Sequence, residues 1–446
     1  MIVSWLFLAA STAGARQAES PQPSALTIDL QEALRRARQY GAQIESANIT
    51  AELTKEDRVQ ARAAALPSVN GLNQFIYTEG NGTPSGVFVA NDGVHVYNEQ
   101  LQAHEELLAL VRRGEIRLAA AAEAVARAKA DVTARGLNAT VIQDYYAIAS
   151  AQRKNANARA SVAEAQKFLD ITQKQERGGE AAHADVIKAQ LQAEQRKRDV
   201  QDAELASAKA KIALAVLIFP RLNLDYSIVD DLSNVAALPP LPESAAQAGA
   251  NNAEVRAAHA GVTEARLGVS VARYAYLPSF GLDVFYGIDA NQFAATSTSA
   301  EDTGRSTLPH FEVPYRQNLG YVAQATLNIP LWSWGSIHSK VKQAELKQRQ
   351  AELDLTLAQK QLDADLAADY REAQSALSQV QSLRTSSDLS AENLRLTLLR
   401  YQAGEATAFE VVDAQSTLSQ ARNAYDDGLL RYRTALANLQ TLTGNY

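Results

Sequence analysis

The chain has 446 residues, 46% of them hydrophobic, yet its mean hydropathy is −0.23. Apolar side chains are therefore dispersed among polar ones, as in amphipathic helices, rather than gathered in one thick core. A formal net charge of −7 argues against nucleic acid as a partner, and the absence of cysteine excludes disulfides, thiolate chemistry, cysteine–zinc sites and a lipid on an N-terminal Cys.

The first ten residues are apolar and are followed by Ala13-Gly14-Ala15, a small-x-small pattern. Residues 1–15 read as a secretory signal, although no Lys or Arg precedes the apolar run; a disordered apolar tail is the alternative. No later run reaches the 18 or so apolar residues of a spanning helix. A membrane crossing would therefore need a closed β-barrel.

Residues 30–65 read as helix, ended by Leu66-Pro67, because the residue before proline leaves the α region. Phe75–Tyr77 and Val94–Tyr97 are strand-like, separated by a Gly-rich loop over 79–93. From about Leu101 to Lys174 the pattern is helical. A tip, Arg177-Gly178-Gly179-Glu180-Ala181-Ala182, interrupts it, and helix resumes from Asp185 to Phe219, stopped by Pro220. Residues 221–242 read as a mid-chain linker, marked by Pro239, Pro240 and Pro242.

The pattern then restarts. Helix is expected from Leu241 to Tyr276, ended by Leu277-Pro278, which lies 277 − 66 = 211 residues after the first such junction. Phe280, Leu282, Val284, Tyr286 and Ile288 alternate with smaller or polar residues, as do Tyr321, Ala323, Ala325, Leu327 and Ile329. Period two with one apolar and one polar face suits a barrel wall between lipid and water, and equally a half-buried soluble sheet. Between these strands lies a polar loop, 290–317, where extra length is tolerated. Trp332 and Trp334 follow, suited to a membrane interface or to ordinary packing.

Lys340 to Tyr401 is expected to form one helix with a coiled-coil seam through Leu346, Leu353, Leu357, Leu362, Leu366 and Tyr370. Roughly 60–70 residues at 1.5 Å rise make about 100 Å. Gly404 ends it, Thr407 is placed to cap the next helix, and Glu410 to Thr443 returns. The second tip repeats the Gly-Glu-Ala of the first. The chain thus divides into 1–15, a first repeat over 16–220, the linker 221–242 and a second repeat over 243–446.

This layout resembles the TolC-like outer membrane efflux family. The most specific parts are the two tips, the paired Leu-Pro-Ser junctions, Asn328-Ile329-Pro330-Leu331-Trp332 and Ala435-Leu436-Ala437-Asn438-Leu439. The resemblance implies a mainly α chain with a transmembrane β part. It implies a homotrimer with a twelve-stranded β-barrel continuous with a long periplasmic α-helical barrel. Such a protein is a passive exit duct of tripartite efflux or type I secretion, working with a periplasmic adaptor and an inner-membrane pump. No cofactor and no enzyme activity are implied. Its location would be the outer membrane, and its strands would face outer membrane lipid.

By the same resemblance, Glu410 and Asp413 match the acidic constriction of the entrance, and Tyr401 and Asp185 match links that hold it shut. A hydrogen bond from Tyr401 to Asp185 is expected. The family's Arg two residues after the tip glycine is Ala406 here, so Arg400 or Arg177 would have to replace it. Gly178, Gly179, Gly404 and Glu405 would meet the adaptor. A solvated helix face is the plain alternative for Glu410 and Asp413. The alternative for the whole chain is a soluble, elongated coiled-coil structural or adaptor protein. The six histidines show no metal-ligand spacing.

Overall fold

The computed structural model describes residues 26–78, 94–290 and 319–444; the expected signal, residues 1–15, and most of both polar loops lie outside them. The element order is β1 (Leu26–Ile28), α1 (Leu30–Tyr40), α2 (Ala42–Ala63), β2 (Ser68–Thr78), β3 (Val94–Leu108), α3 (Leu110–Gly178), α4 (His183–Ile218), β4 (Tyr226–Ile228), α5 (Leu241–Asn251), α6 (Ala253–Tyr274), β5 (Ser279–Ala290), β6 (Leu319–Asn328), α7 (Ser336–Gln402) and α8 (Ala408–Thr443). No described helix is long and apolar enough to cross a membrane.

The described chain forms two compact units. One holds residues 26–40, Val141–Val235 and Val380–Arg433, and the other Gly41–Thr140, Ala236–Gln379 and 434–444. Each unit draws on both sequence repeats, so the repeats are not independent domains.

Three expectations need correction. The helix expected over 30–65 is broken at Gly41, and the one over 241–276 at Asn252. The two breaks are 252 − 41 = 211 residues apart, the spacing of the Leu-Pro junctions. Asn252 makes its break by capping: its side chain accepts from the Val255 N–H at 2.9 Å. Second, Leu101–Leu108 is strand, not helix. Its Gln, Glu, Ala and Leu favour helix in isolation, but β2 on one side and β5 on the other satisfy its backbone. Third, the mid-chain segment is anchored. β4 pairs parallel with β1, and the buried Tyr145 hydroxyl donates to the carbonyls of Val229 at 2.8 Å and Ile28 at 3.3 Å. Arg153 grips Asp230 through two nitrogens at 2.6 and 2.9 Å. These contacts hold residues 221–235 within the first unit.

The second unit carries the sheet, in the order β2-β3-β5-β6, antiparallel throughout. Register sorts its faces. Phe280 pairs with Leu327, Leu282 with Ala325, Val284 with Ala323 and Tyr286 with Tyr321, which makes one face apolar. On the other, Asp283 lies between Gln324 and His104, and His104 lies beside Ser68; the His104 Nδ1 sits 2.6 Å from Asp283 Oδ1. β2 and β6 have no strand partner on their outer sides among the described residues. Below the sheet, α2 is tied to α3 by Glu123, which is buried and paired with Arg58 at 2.9 Å and with Arg127.

Candidate gate and hairpin tips

The two tips are built alike, because the same local chemistry ends both incoming helices. At the first, the Gly179 N–H bonds the Glu176 carbonyl at 2.9 Å and the Glu180 N–H bonds the Gln175 carbonyl at 2.8 Å. At the second, Gly404 N–H bonds Tyr401 at 3.0 Å and Glu405 N–H bonds Arg400 at 2.8 Å. This nested pair needs a left-handed residue at its centre, and Gly179 and Gly404 supply it at φ 78° and 77°.

The outgoing helices differ. Thr407 and Glu410 form a capping box. The Glu410 N–H donates to the Thr407 hydroxyl at 3.3 Å, and the Thr407 N–H donates to Glu410 Oε1 at 3.2 Å. The Thr407 N–H, and the Thr407 hydroxyl, which also donates to Glu410 Oε1 at 3.1 Å, hold the Glu410 carboxyl below the usual carboxylate range, with the Arg400 charge adding to them. Arg400 Nη1 lies 3.5 Å from Glu410 Oε2, and Nη2 donates to the Glu405 carbonyl at 3.1 Å. Arg400 thus makes the carboxylate contact that Ala406 cannot. α4 begins at Ala182 with no side-chain cap.

Glu410 and Asp413 therefore do different things. Glu410 is engaged within its own hairpin. Asp413, one turn further along α8, is exposed.

The Tyr401 link is corrected. Its hydroxyl donates to Thr172 Oγ1 at 3.3 Å, not to Asp185. Tyr401 is 5% exposed, its ring meets Phe168 edge-on at 5.2 Å, and burial pushes its hydroxyl pKa up. Around it Leu169, Val186, Ala189, Val411, Ala414 and Leu418 close a core shared by four helices. Asp185 acts on Tyr401 only through its charge. Thr172 was missed from sequence because a threonine inside an Ala/Gln-rich helix gives no signal; only the crossing of α3 and α7 selects it. Between the tips is a cavity of about 800 Å³ lined by Glu180, Asp185, Lys188, Gly404, Thr407 and Phe409, among others.

The tip glycines Gly178, Gly179 and Gly404, and Glu405, are exposed. In the other unit Trp332 and Trp334 stand edge to face at 5.7 Å, and Trp334 is 89% exposed. Their loop turns through two left-handed residues, Trp334 and Gly335. Among the described residues no cluster of His, Asp or Glu could hold a metal ion.

The second half of the chain, residues 245–445, matches the family model described as outer membrane efflux protein. The outer membrane protein TolC of Vibrio cholerae serotype O1 is 24% identical over 425 residues, covering 92% of this chain and 91% of that protein. Both findings liken this chain to the TolC-like outer membrane efflux proteins. Solved structures agree on the fold. The Campylobacter jejuni CmeC outer membrane channel superposes with a TM-score of 0.80 at 15% identity, covering 99% of this chain and 94% of that one. The open-state MtrE outer membrane channel of Neisseria gonorrhoeae gives 0.70 at 20% identity, covering 100% and 98%. A soluble coiled-coil protein is set aside. Both of these solved structures are outer membrane channels.

Proposed function

We propose that three copies of this chain form the outer membrane exit duct of an efflux or secretion assembly, passing cargo delivered by an inner-membrane pump through a periplasmic adaptor. The observation that carries this reading is the sheet. It has an apolar face and a polar face, and it ends in two open strands. Open edges are not tolerated in lipid, so closure has to come from further copies. Four strands from each of three chains give twelve.

The helices support the same reading. In the predicted seam, Leu362 and Leu366 are buried within the chain, whereas Leu346, Leu353 and Leu357 are exposed, Leu353 by 58%. An apolar row left open on a long helix asks for a neighbouring helix. In the assembly the two repeats, 16–220 and 243–446, would alternate around the wall, with 221–242 binding them in a belt. Asp413 would form an acidic ring at the narrow entrance, the kind of device that favours cations. Glu410 and Arg400 would shape the tip, Tyr401 and Asp185 would steady the closed entrance, and Gly178, Gly179, Gly404 and Glu405 would meet the adaptor. Trp332 and Trp334 would mark the membrane interface.

The test uses the absence of cysteine. Cysteines placed at Asn70 on β2 and Gln324 on β6, both on the polar face, should cross-link different copies. The expected product is a covalent trimer in the outer membrane fraction, released only by detergent. A freely soluble monomer, or a product confined to single chains, would overturn the reading.

A further inference from the structure

We propose that the helix turns directly beneath the sheet form a basic collar that binds the anionic headgroups of the adjoining phospholipid leaflet. This rests on the membrane-channel reading above and names the lipid chemistry it selects. Register places the start of β2, the end of β3, the start of β5 and the end of β6 on one side of the sheet, so the four connected segments emerge together. Within about two turns of the helix ends nearest the sheet, together with the links to the strands, lie residues 57–67, 109–117, 268–278 and 329–342. They hold Arg58, Arg62, Arg112, Arg113, Arg117, Arg273, Lys340 and Lys342 against two acids, Asp57 and Glu115. A local balance of 8 − 2 = +6 sits in a chain of net charge −7.

The acids nearby are largely accounted for. Glu115 and Glu106 both pair with Arg112, at 3.6 and 3.3 Å, Glu345 pairs with Arg273 at 2.9 Å and Glu123 with Arg58 at 2.9 Å; Glu105 lies above the band, inside β3. That leaves Arg62, Arg113, Arg117, Lys340 and Lys342, all exposed and with no acid partner among the described residues. The same band carries the exposed apolar residues Leu66, Tyr276, Leu277, Leu331, Trp332 and Trp334. Cations beside aromatic and aliphatic groups at the end of an apolar sheet match a surface where acyl chains give way to negative phosphates. Cations facing water alone would not need that apolar company.

The experiment reconstitutes the purified full chain with an equimolar mixture of phosphatidylglycerol and phosphatidylcholine, and measures by mass spectrometry the lipid retained after detergent washing. Phosphatidylglycerol should be retained several-fold over phosphatidylcholine at low salt. The excess should shrink as ionic strength shortens the screening length to about 10 Å near 0.1 M. Replacing Arg62, Arg113, Arg117, Lys340 and Lys342 with Gln should remove most of that preference and bring the retained ratio close to that of the mixture, since each cation at a charged lipid surface contributes to it. The salt series on the unaltered protein stands even if that variant does not fold. A parent protein that inserts but shows no anionic preference, or one indifferent to salt, overturns the collar alone. A parent that never associates with lipid overturns the channel reading as well. A variant with altered ion selectivity and unchanged lipid preference would place the cations in the conduit and also overturn the proposal.

Discussion

Tyr401 gives the sharpest test of how the tip is held. Its hydroxyl meets Thr172 and its ring fills the space beside Phe168. Tyr401→Phe removes one buried hydrogen bond. Thr172 is not orphaned by the change, because its own hydroxyl donates to the Phe168 carbonyl at 3.0 Å. The cost should fall at the low end of the usual range, about 0.5–1 kcal/mol, a factor of roughly two to five in local opening. Tyr401→Ala removes the ring from a closed core and should cost about 3–5 kcal/mol, opening the tip by a factor of roughly one hundred to several thousand. Asp185→Asn should stay within about 0.5 kcal/mol, because Asp185 makes no hydrogen bond to Tyr401. Hydrogen exchange at the Gly404 and Glu405 amides, whose acceptors are Tyr401 and Arg400, reads this opening. An Asp185→Asn effect as large as that of Tyr401→Phe would refute the reasoning and restore a Tyr401–Asp185 link.

The capping box should be sensitive to acid. The folded Glu410 pKa is depressed, so its contribution is present above the ordinary carboxylate pKa and is lost as pH falls through the lower folded value. Protection in the first turn of α8, referred to the intrinsic exchange rate at each pH, should fall below about pH 4, and Glu410→Gln should abolish that pH dependence; Thr407→Ala should cost about 1 kcal/mol near neutral pH and less in acid, because its hydroxyl also donates to the Glu410 carboxylate. In single-channel recordings Asp413→Asn should weaken cation preference, whereas Glu410→Gln should change it far less; equal effects would mean Glu410 also faces the passage. Gly287→Val should abolish a heat-stable oligomer on gels, since a Cβ there falls 2.1 Å from the Glu99 carbonyl oxygen and 2.6 Å from the Gln100 Cα. Gly281→Ala, whose Cβ would meet nothing closer than His104 at 3.7 Å, should assemble normally.

Much of the site was legible because its signals are local. A glycine after a long helical run can be read directly, and so can a threonine three residues before a glutamate, though the full box appears only in the bond from Thr407 N–H back to Glu410. Leu101–Leu108 misled because helix propensity is local and strand pairing is not; its partners β2 and β5 come from opposite repeats. The Tyr401–Asp185 bond failed for a similar reason: which side chain a hydroxyl meets depends on how two helices cross. The collar was hidden differently. Its cations are scattered over four segments spanning 62 to 342, and no window of sequence shows them as a cluster.

What the sequence determined by itself was everything carried by spacing: the duplication, the Leu-Pro junctions 211 residues apart, the two tips, and the period-two strands set between long helices. Only the tertiary structure decided what meets what. It joined the strands of both repeats into one sheet with its apolar rows in register, turned Tyr401 to Thr172, tied Glu410 to Arg400 and gathered the basic residues beside one end of the sheet. Periodicity is a property of neighbouring residues and is written in their order, whereas partner choice is a competition among distant groups that is settled only when the chain has closed around them.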